Sequence, residues 1–202
     1  ICAAYPLSRK TLRGRKVLNL LFIFTMYFQG GMIPDYILMN RLGLLERMAS
    51  LVLPLAFSAY NLVIMKNSLE SSIPDSLVES ALIDGANHYT ILGKIVLPLS
   101  KPILATLTLF YAVGRWNTYS DAMFYIKQNT AMRPLQLKLY YLIVAATESI
   151  QGSINDVAMS TVMDPEILKA ACIVFATVPI ILVYPFVQKY FVQGTMIGAV
   201  KG

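Results

Sequence analysis

Apolar residues gather into four long runs, at about residues 17–40, 49–67, 102–126 and 167–191, with polar stretches between them. At a rise of about 1.5 Å per helical residue, runs of this length suit the roughly 30 Å hydrocarbon core of a bilayer. The pattern predicts an all-α, polytopic helical membrane protein, with residues 1–202 as one transmembrane domain. Val17 to Asn40 holds one charged residue, Asp35. Gly30, Gly31 and Pro34 interrupt that run and are expected to form a hinge or kink, because they loosen the backbone ladder. Pro54 lies near the outer end of the second run. The third begins after Lys101 and Pro102; its inner half is plainly apolar, and its outer half carries Arg115, Trp116, Asn117, Ser120 and Asp121. Pro165 and Glu166 open the last run, which contains Pro179 and Pro185 and leaves a tail from Gln193 onward. Residues 127–165 include the apolar stretch Leu135 to Ala146, too short to cross as a helix, and are expected to lie on the outer face.

The polar interruption at 74–98 has its own pattern. Pro74 suits a first helical turn, and Ser76 with Glu79 three residues on fits a capping box. Leu77, Val78, Ala81 and Leu82 fall on one face of the predicted helix. Asp84 and Gly85 then favour a turn, with Gly85 free to adopt the left-handed geometry that stops a helix. A second short helix follows, with Tyr89, Leu92, Ile95 and Val96 as its stripe, ending at Pro98. Helix, tight corner and helix together make a knob that can protrude from a membrane surface.

Composition sharpens the class. With 56% hydrophobic and 14% charged residues, and a mean hydropathy of +0.60, the chain is too apolar for an ordinary soluble domain. The net charge of +6 does not point to nucleic acid, because the basic residues sit beside hydrophobic runs and not on one soluble face. Arg9, Lys10, Arg13, Arg15 and Lys16 cluster around Gly14 and signal a cytoplasmic position. On the resulting topology ten Lys and Arg lie inside, at 9, 10, 13, 15, 16, 66, 94, 101, 189 and 201. Six lie outside, at 41, 47, 127, 133, 138 and 169, and the C-terminus is cytoplasmic. Cys2 and Cys172 lack metal-site or redox-motif spacing, so no metal site is expected. His88, the sole histidine, is expected at the surface of the polar loop. The opening ICAAYPLSRK lacks signal-peptide features and reads as the inner end of a membrane helix, so further N-terminal helices are expected upstream.

Glu79, Ser80, Ala81, Asp84, Gly85, Ala86, Ile95, Leu97 and Pro98 resemble the EAA motif of permease subunits of bacterial ABC importers. The family pattern is glutamate, two alanines, three residues, glycine, nine residues, isoleucine, one residue, leucine, proline; Ser80 for the second alanine is the one departure. The resemblance implies an importer permease core whose EAA loop, the coupling helix, lies in the cytoplasm and enters a cleft on a separate ATP-hydrolysing subunit. The stretches FQGGMIPDYILMNRLGLL, LPLSKPILATLTLFYAVGRWN and KYFVQGTMIGAVKG are similar to the carbohydrate-uptake branch, and within it to lipoprotein-linked and alginate or pectin-fragment importers. Membership would imply a second permease subunit, two ATP-binding subunits, an extracytoplasmic solute-binding protein, an oligosaccharide substrate and a place in the bacterial cytoplasmic membrane.

The chemistry agrees with a transport subunit that is not itself an enzyme. Gly93 and Lys94 are the nearest approach to a phosphate loop, but His88 stands where its first glycine belongs and Ile95 where Ser or Thr belongs. ATP and magnesium therefore fall to a partner. Sugars are bound by aromatic faces and by planar amide or guanidinium groups, which Tyr111, Arg115, Trp116 and Asn117 can supply on the third run. Trp116 has the alternative role of an interfacial aromatic belt. Arg115, about halfway through a membrane helix, should face a partner or a cavity. Two other readings stay open: an ion-coupled secondary transporter, although no carboxylate lies deep in a run, and an ABC permease for a solute other than carbohydrate.

Overall fold

The computed structural model describes residues 1–153 and 165–199, and the described residues contain helices and no strand. In chain order the helices are α1 (Ala4–Ser8), α2 (Arg15–Tyr27), α3 (Met32–Arg41), α4 (Met48–Val52), α5 (Ala59–Ser72) and α6 (Asp75–Ile83). They continue with α7 (His88–Ile91), a π-turn (Leu92–Val96), α8 (Leu97–Leu99), α9 (Lys101–Asn117), α10 (Ser120–Tyr125), α11 (Leu135–Ser153) and α12 (Pro165–Ala199). The chain forms two compact units. One comprises Ile1–Gly31, Ala56–Tyr111 and Val187–Gly202, and the other Met32–Leu55 and Ala112–Phe186.

The first unit is organised around α5. Ser58 caps it, its hydroxyl accepting from the Asn61 amide at 3.3 Å. Leu62, Met65 and Leu69 recur at helical spacing and are buried, so one face of α5 enters the core. That core also takes Tyr5 and Leu7 of α1, Ile73, Val78 of α6, Ile91, Val96 and Leu107. Polar edges are tied by Glu70, which pairs with Arg15 and lies 3.5 Å from Lys66 Nζ.

The second unit buries Met39, Ser50, Ala122, Tyr125, Ile126 and Leu137. Its loop is held by Glu46, which has φ 58 and whose carboxylate accepts from three consecutive amides, those of Lys127 (2.6 Å), Gln128 (3.0 Å) and Asn129 (3.0 Å). These bonds, Asn129 foremost and Gln128 next, hold the Glu46 carboxyl below the ordinary glutamate range.

The apolar runs are more broken than their composition suggests. The first run is two helices: the ladder stops at Phe28–Gly31, where Gly31 has φ 88, and Pro34 is not part of the break. It sits in the first turn of α3, where the missing N–H is an orphan in any helix. The second run is not one helix over 49–67; α4 ends before Pro54 and α5 starts at Ala59. Pro54 can donate no bond to the preceding turn, which ends the ladder there. The third run stops at Asn117 and not 126: the Thr118 amide bonds the Arg115 carbonyl at 3.3 Å, and a separate helix, α10, follows from Ser120. The last helix extends past 191 to Ala199, so Gln193 continues the helix backbone and does not begin a tail.

Between residues 127 and 165, α11 runs to Ser153, well beyond the apolar stretch; residues 154–164 lie outside the described residues. Among the described residues one helical stretch, Glu166–Pro185, is long and apolar enough to cross a membrane alone, with 20 residues and a mean hydropathy of 2.3. The total reaches three if the bent pairs Arg15–Tyr27 with Met32–Arg41 and His88–Leu99 with Lys101–Asn117 each count as one span.

Candidate functional site

The loop at 74–98 folds as a short helix, a closed corner and a second short helix. Pro74 is the cap residue of α6, and Ser76 lies inside the helix. No side chain caps α6, so the expected Ser76–Glu79 capping box does not form. Asp75 in the first turn complements the helix dipole instead.

The corner explains the motif spacing. Ala86 N–H donates to the Ala81 carbonyl at 2.9 Å and Gly85 N–H to the Leu82 carbonyl at 3.0 Å, the two bonds of a Schellman stop. Gly85 has φ 84, and a Cβ there would meet nothing within 4 Å, so the backbone angle alone makes glycine necessary. Ala81 and Ala86, the two ends of the longer bond, both pack against the core cluster. Asn87 then caps α7, its side chain accepting from the Thr90 amide at 2.8 Å. The next turns run through the π-turn, and Pro98 lies within α8, so this helix does not end at Pro98.

Burial divides the loop into a root and a tip. Val78, Ile91 and Val96 are buried, whereas Ile83 is 87% and Tyr89 86% exposed. Tyr89 therefore does not join the inward stripe; Ile91 takes that place. Glu79, Ser80 and Asp84 are exposed beside this apolar tip, and the Ser80 hydroxyl bonds the Ser76 carbonyl of its own helix at 2.9 Å. His88 is exposed, with Nδ1 3.4 Å from the Tyr5 hydroxyl. The surface presented is small, apolar at its centre and acidic at its edge.

Arg9 stands out at the root, although in the sequence it is one of five clustered cations that signal topology. It is 6% exposed and donates to the Ile73 carbonyl from Nη1 and Nη2, both at 3.2 Å, and to Asp75 Oδ1 at 3.1 Å. Nothing local in the sequence distinguishes it; only the burial does.

Of the residues proposed for the solute path, Tyr111, Arg115 and Trp116 each have a separate partner. Tyr111 lies in the first unit, where its hydroxyl accepts from the Ser58 amide at 3.1 Å and lines a cavity of about 440 Å³. Arg115 donates to the Val52 carbonyl at 2.8 Å, at the end of α4, and lines a cavity of about 340 Å³ with Asp121 and Thr118. Trp116 donates from its indole to the Ala176 carbonyl at 3.0 Å and faces a different cavity, of about 750 Å³, with an apolar lining. Asn117 is exposed. Successive residues turn about 100° around a helix, which separates the neighbours 115, 116 and 117.

Residues 12–197 match the family described as binding-protein-dependent transport system inner membrane component. The chain belongs to that family. It is a membrane transport subunit of the ABC importer type and not an enzyme. Over 199 residues, 98% of this chain, it is 46% identical to the polygalacturonan/rhamnogalacturonan transport system permease protein YtcP of Bacillus subtilis (strain 168), covering 68% of that protein. It is 44% identical to protein LplC of the same organism, again over 98% of this chain and over 66% of LplC. Among solved structures it is similar to a bacterial ABC transporter involved in the import of the acidic polysaccharide alginate, with a TM-score of 0.78, 40% identity and coverage of 93% of this chain and 66% of that one. The permease chain thus spans about two thirds of the length of these proteins.

Proposed function

We propose that this chain is the permease subunit of an ATP-dependent importer of oligosaccharides, forming half of a translocation pore and coupled to a separate ATPase through the loop at 74–98. The observation that carries the reading is the exposed tip of that loop, Ile83 and Tyr89 flanking the Gly85 corner, on a root fixed in the core. An apolar tip with an acidic rim suits insertion into a cleft on a partner protein. Glu79, Ser80, Ala81, Asp84, Gly85 and Ala86 form the coupling element, and ATP with its magnesium binds in the partner. A second permease, a pair of ATPase subunits and an extracytoplasmic solute-binding protein complete the assembly, and the C-terminus lies in the cytoplasm.

Three relatives favour an oligosaccharide: YtcP, the alginate importer, and the melibiose/raffinose/stachyose import permease MelC, 31% identical. A non-carbohydrate solute is the second reading, favoured by a 28% identical relative named as an osmoprotective compounds uptake permease.

Gly85→Val tests the coupling role. A left-handed angle costs an L-residue about 1–2 kcal/mol, and a β-branched residue tolerates it worst. The variant is expected to reach the membrane and assemble, and to lose substrate-stimulated ATP hydrolysis in the reconstituted complex. Stimulation at the wild-type level would show the loop to be only a connector.

A further inference from the structure

The coupling loop leaves α5 through a joint of two extended residues, Ile73 (φ −127, ψ 93) and Pro74 (φ −58, ψ 147). Such a joint bends easily unless something spans it. Pro74 offers no N–H, and Ile73 O lies at the negative end of α5, where carbonyls lack helix partners. Arg9 spans the joint. One guanidinium holds Ile73 O from two nitrogens at 3.2 Å on the α5 side and Asp75 Oδ1 at 3.1 Å on the α6 side. Its Nε donates to Ser8 Oγ at 3.1 Å, and that hydroxyl donates to the Tyr5 carbonyl at 2.7 Å, so the fork is fixed from behind by α1. Tyr5 also lies 3.4 Å from His88 at the start of α7. The small helix α1 thus touches the loop at both of its helices.

We infer that Arg9 is a positioning residue, a brace that locks the α5–α6 joint so that displacement of the coupling helix is carried into α5 and α1 and is not absorbed by bending at Ile73–Pro74. The inference rests on the coupling role proposed above. Arginine suits the task because its planar fork carries several donors in fixed directions and keeps its charge when buried. Lys10, 81% exposed and 3.7 Å from Asp75, adds little, since an exposed ion pair is screened. Arg13, in the same basic cluster, is exposed and has no partner among the described residues. It therefore separates a brace from an orientation charge.

The test uses the full-length chain in the assembled importer, with Arg9→Gln, Arg9→Lys, Asp75→Asn and Arg13→Gln. Two quantities are read: backbone hydrogen exchange over 73–86 and the number of trigalacturonate molecules imported per ATP hydrolysed. Coupling between sites typically amounts to about 5–150-fold. Arg9→Gln is expected to speed exchange in this segment alone and to lower the import-to-ATP ratio roughly tenfold. Arg9→Lys should recover part of both, and Arg13→Gln neither. If Arg9→Gln fails to assemble, Asp75→Asn, which leaves Ile73 held, should show the same two changes at smaller size.

Three outcomes overturn the brace. They are unchanged exchange over 73–86, faster exchange throughout the chain, or local acceleration with an unaltered import-to-ATP ratio. A wild-type complex that moves no trigalacturonate counts against the oligosaccharide reading above instead, and unchanged or chain-wide faster exchange in Arg9→Gln then still overturns the brace.

Discussion

Glu46 shows how a single carboxylate fixes a loop. An ordinary side chain at φ 58 is unfavourable, yet the three amides gathered by the carboxylate hold it there. The carboxyl is held below the ordinary glutamate range by those amides, so its bonds favour the folded state above the unfolded pKa of about 4.3. That contribution is lost as the pH falls through the lower, folded value. Glu46→Gln is accordingly expected to lower the melting temperature by a constant amount between neutral and mildly acidic pH. The difference from wild type should shrink only below the ordinary glutamate pKa. Thermal melts of both proteins across that range check it, and a difference that already fades near neutrality would assign the effect to another group.

Along single elements, what the chain announces depends on how local the cause is. The Gly85 corner is legible because two adjacent residues dictate it, and the Schellman bonds then follow from geometry. The stop at Asn117 is not, since no glycine or proline follows it to break the ladder. Buried Arg9 is likewise invisible from its neighbours. The candidate solute contacts on α9 belong to this second kind: their residue types suit sugars, but helical rotation turns Arg115, Trp116 and Asn117 to different sides, and the partners Ser58 of Tyr111, Val52 of Arg115 and Ala176 of Trp116 cannot be read from residue type. Arg115 retains the strongest claim, because it lines a cavity with the carboxylate Asp121 while closing the orphan end of α4. In a complex that still assembles, Arg115→Ala should impair oligosaccharide import far more than Trp116→Phe, whose cavity lining is apolar. Equal effects in a transport assay would remove Arg115 from the path and leave it as a helix-end partner.

At the scale of the whole chain, exposed apolar surface is the dominant fact. Ile173, Val174, Phe175, Ile181 and Leu182 are each more than half exposed on α12, whose apolar residues surround the helix and do not form one stripe. A helix apolar on all sides is stable where lipid or protein covers it. Charge then sets the direction of crossing, and the ten-to-six distribution of basic residues favours a cytoplasmic coupling loop. Single cysteines test this in the full-length protein after Cys2 and Cys172 are replaced. Tyr89 is the better inner position, being 86% exposed, whereas Asn87 is the cap of α7 and its loss would fray that helix. Gln128 is the outer position, exposed and bonded through its backbone only. In intact cells without the ATPase, an impermeant maleimide should label Gln128→Cys and not Tyr89→Cys, and in inside-out vesicles the preference should reverse. Labelling of Tyr89→Cys from outside would place the loop away from ATP, and the chain could not then couple to a cytoplasmic ATPase through it.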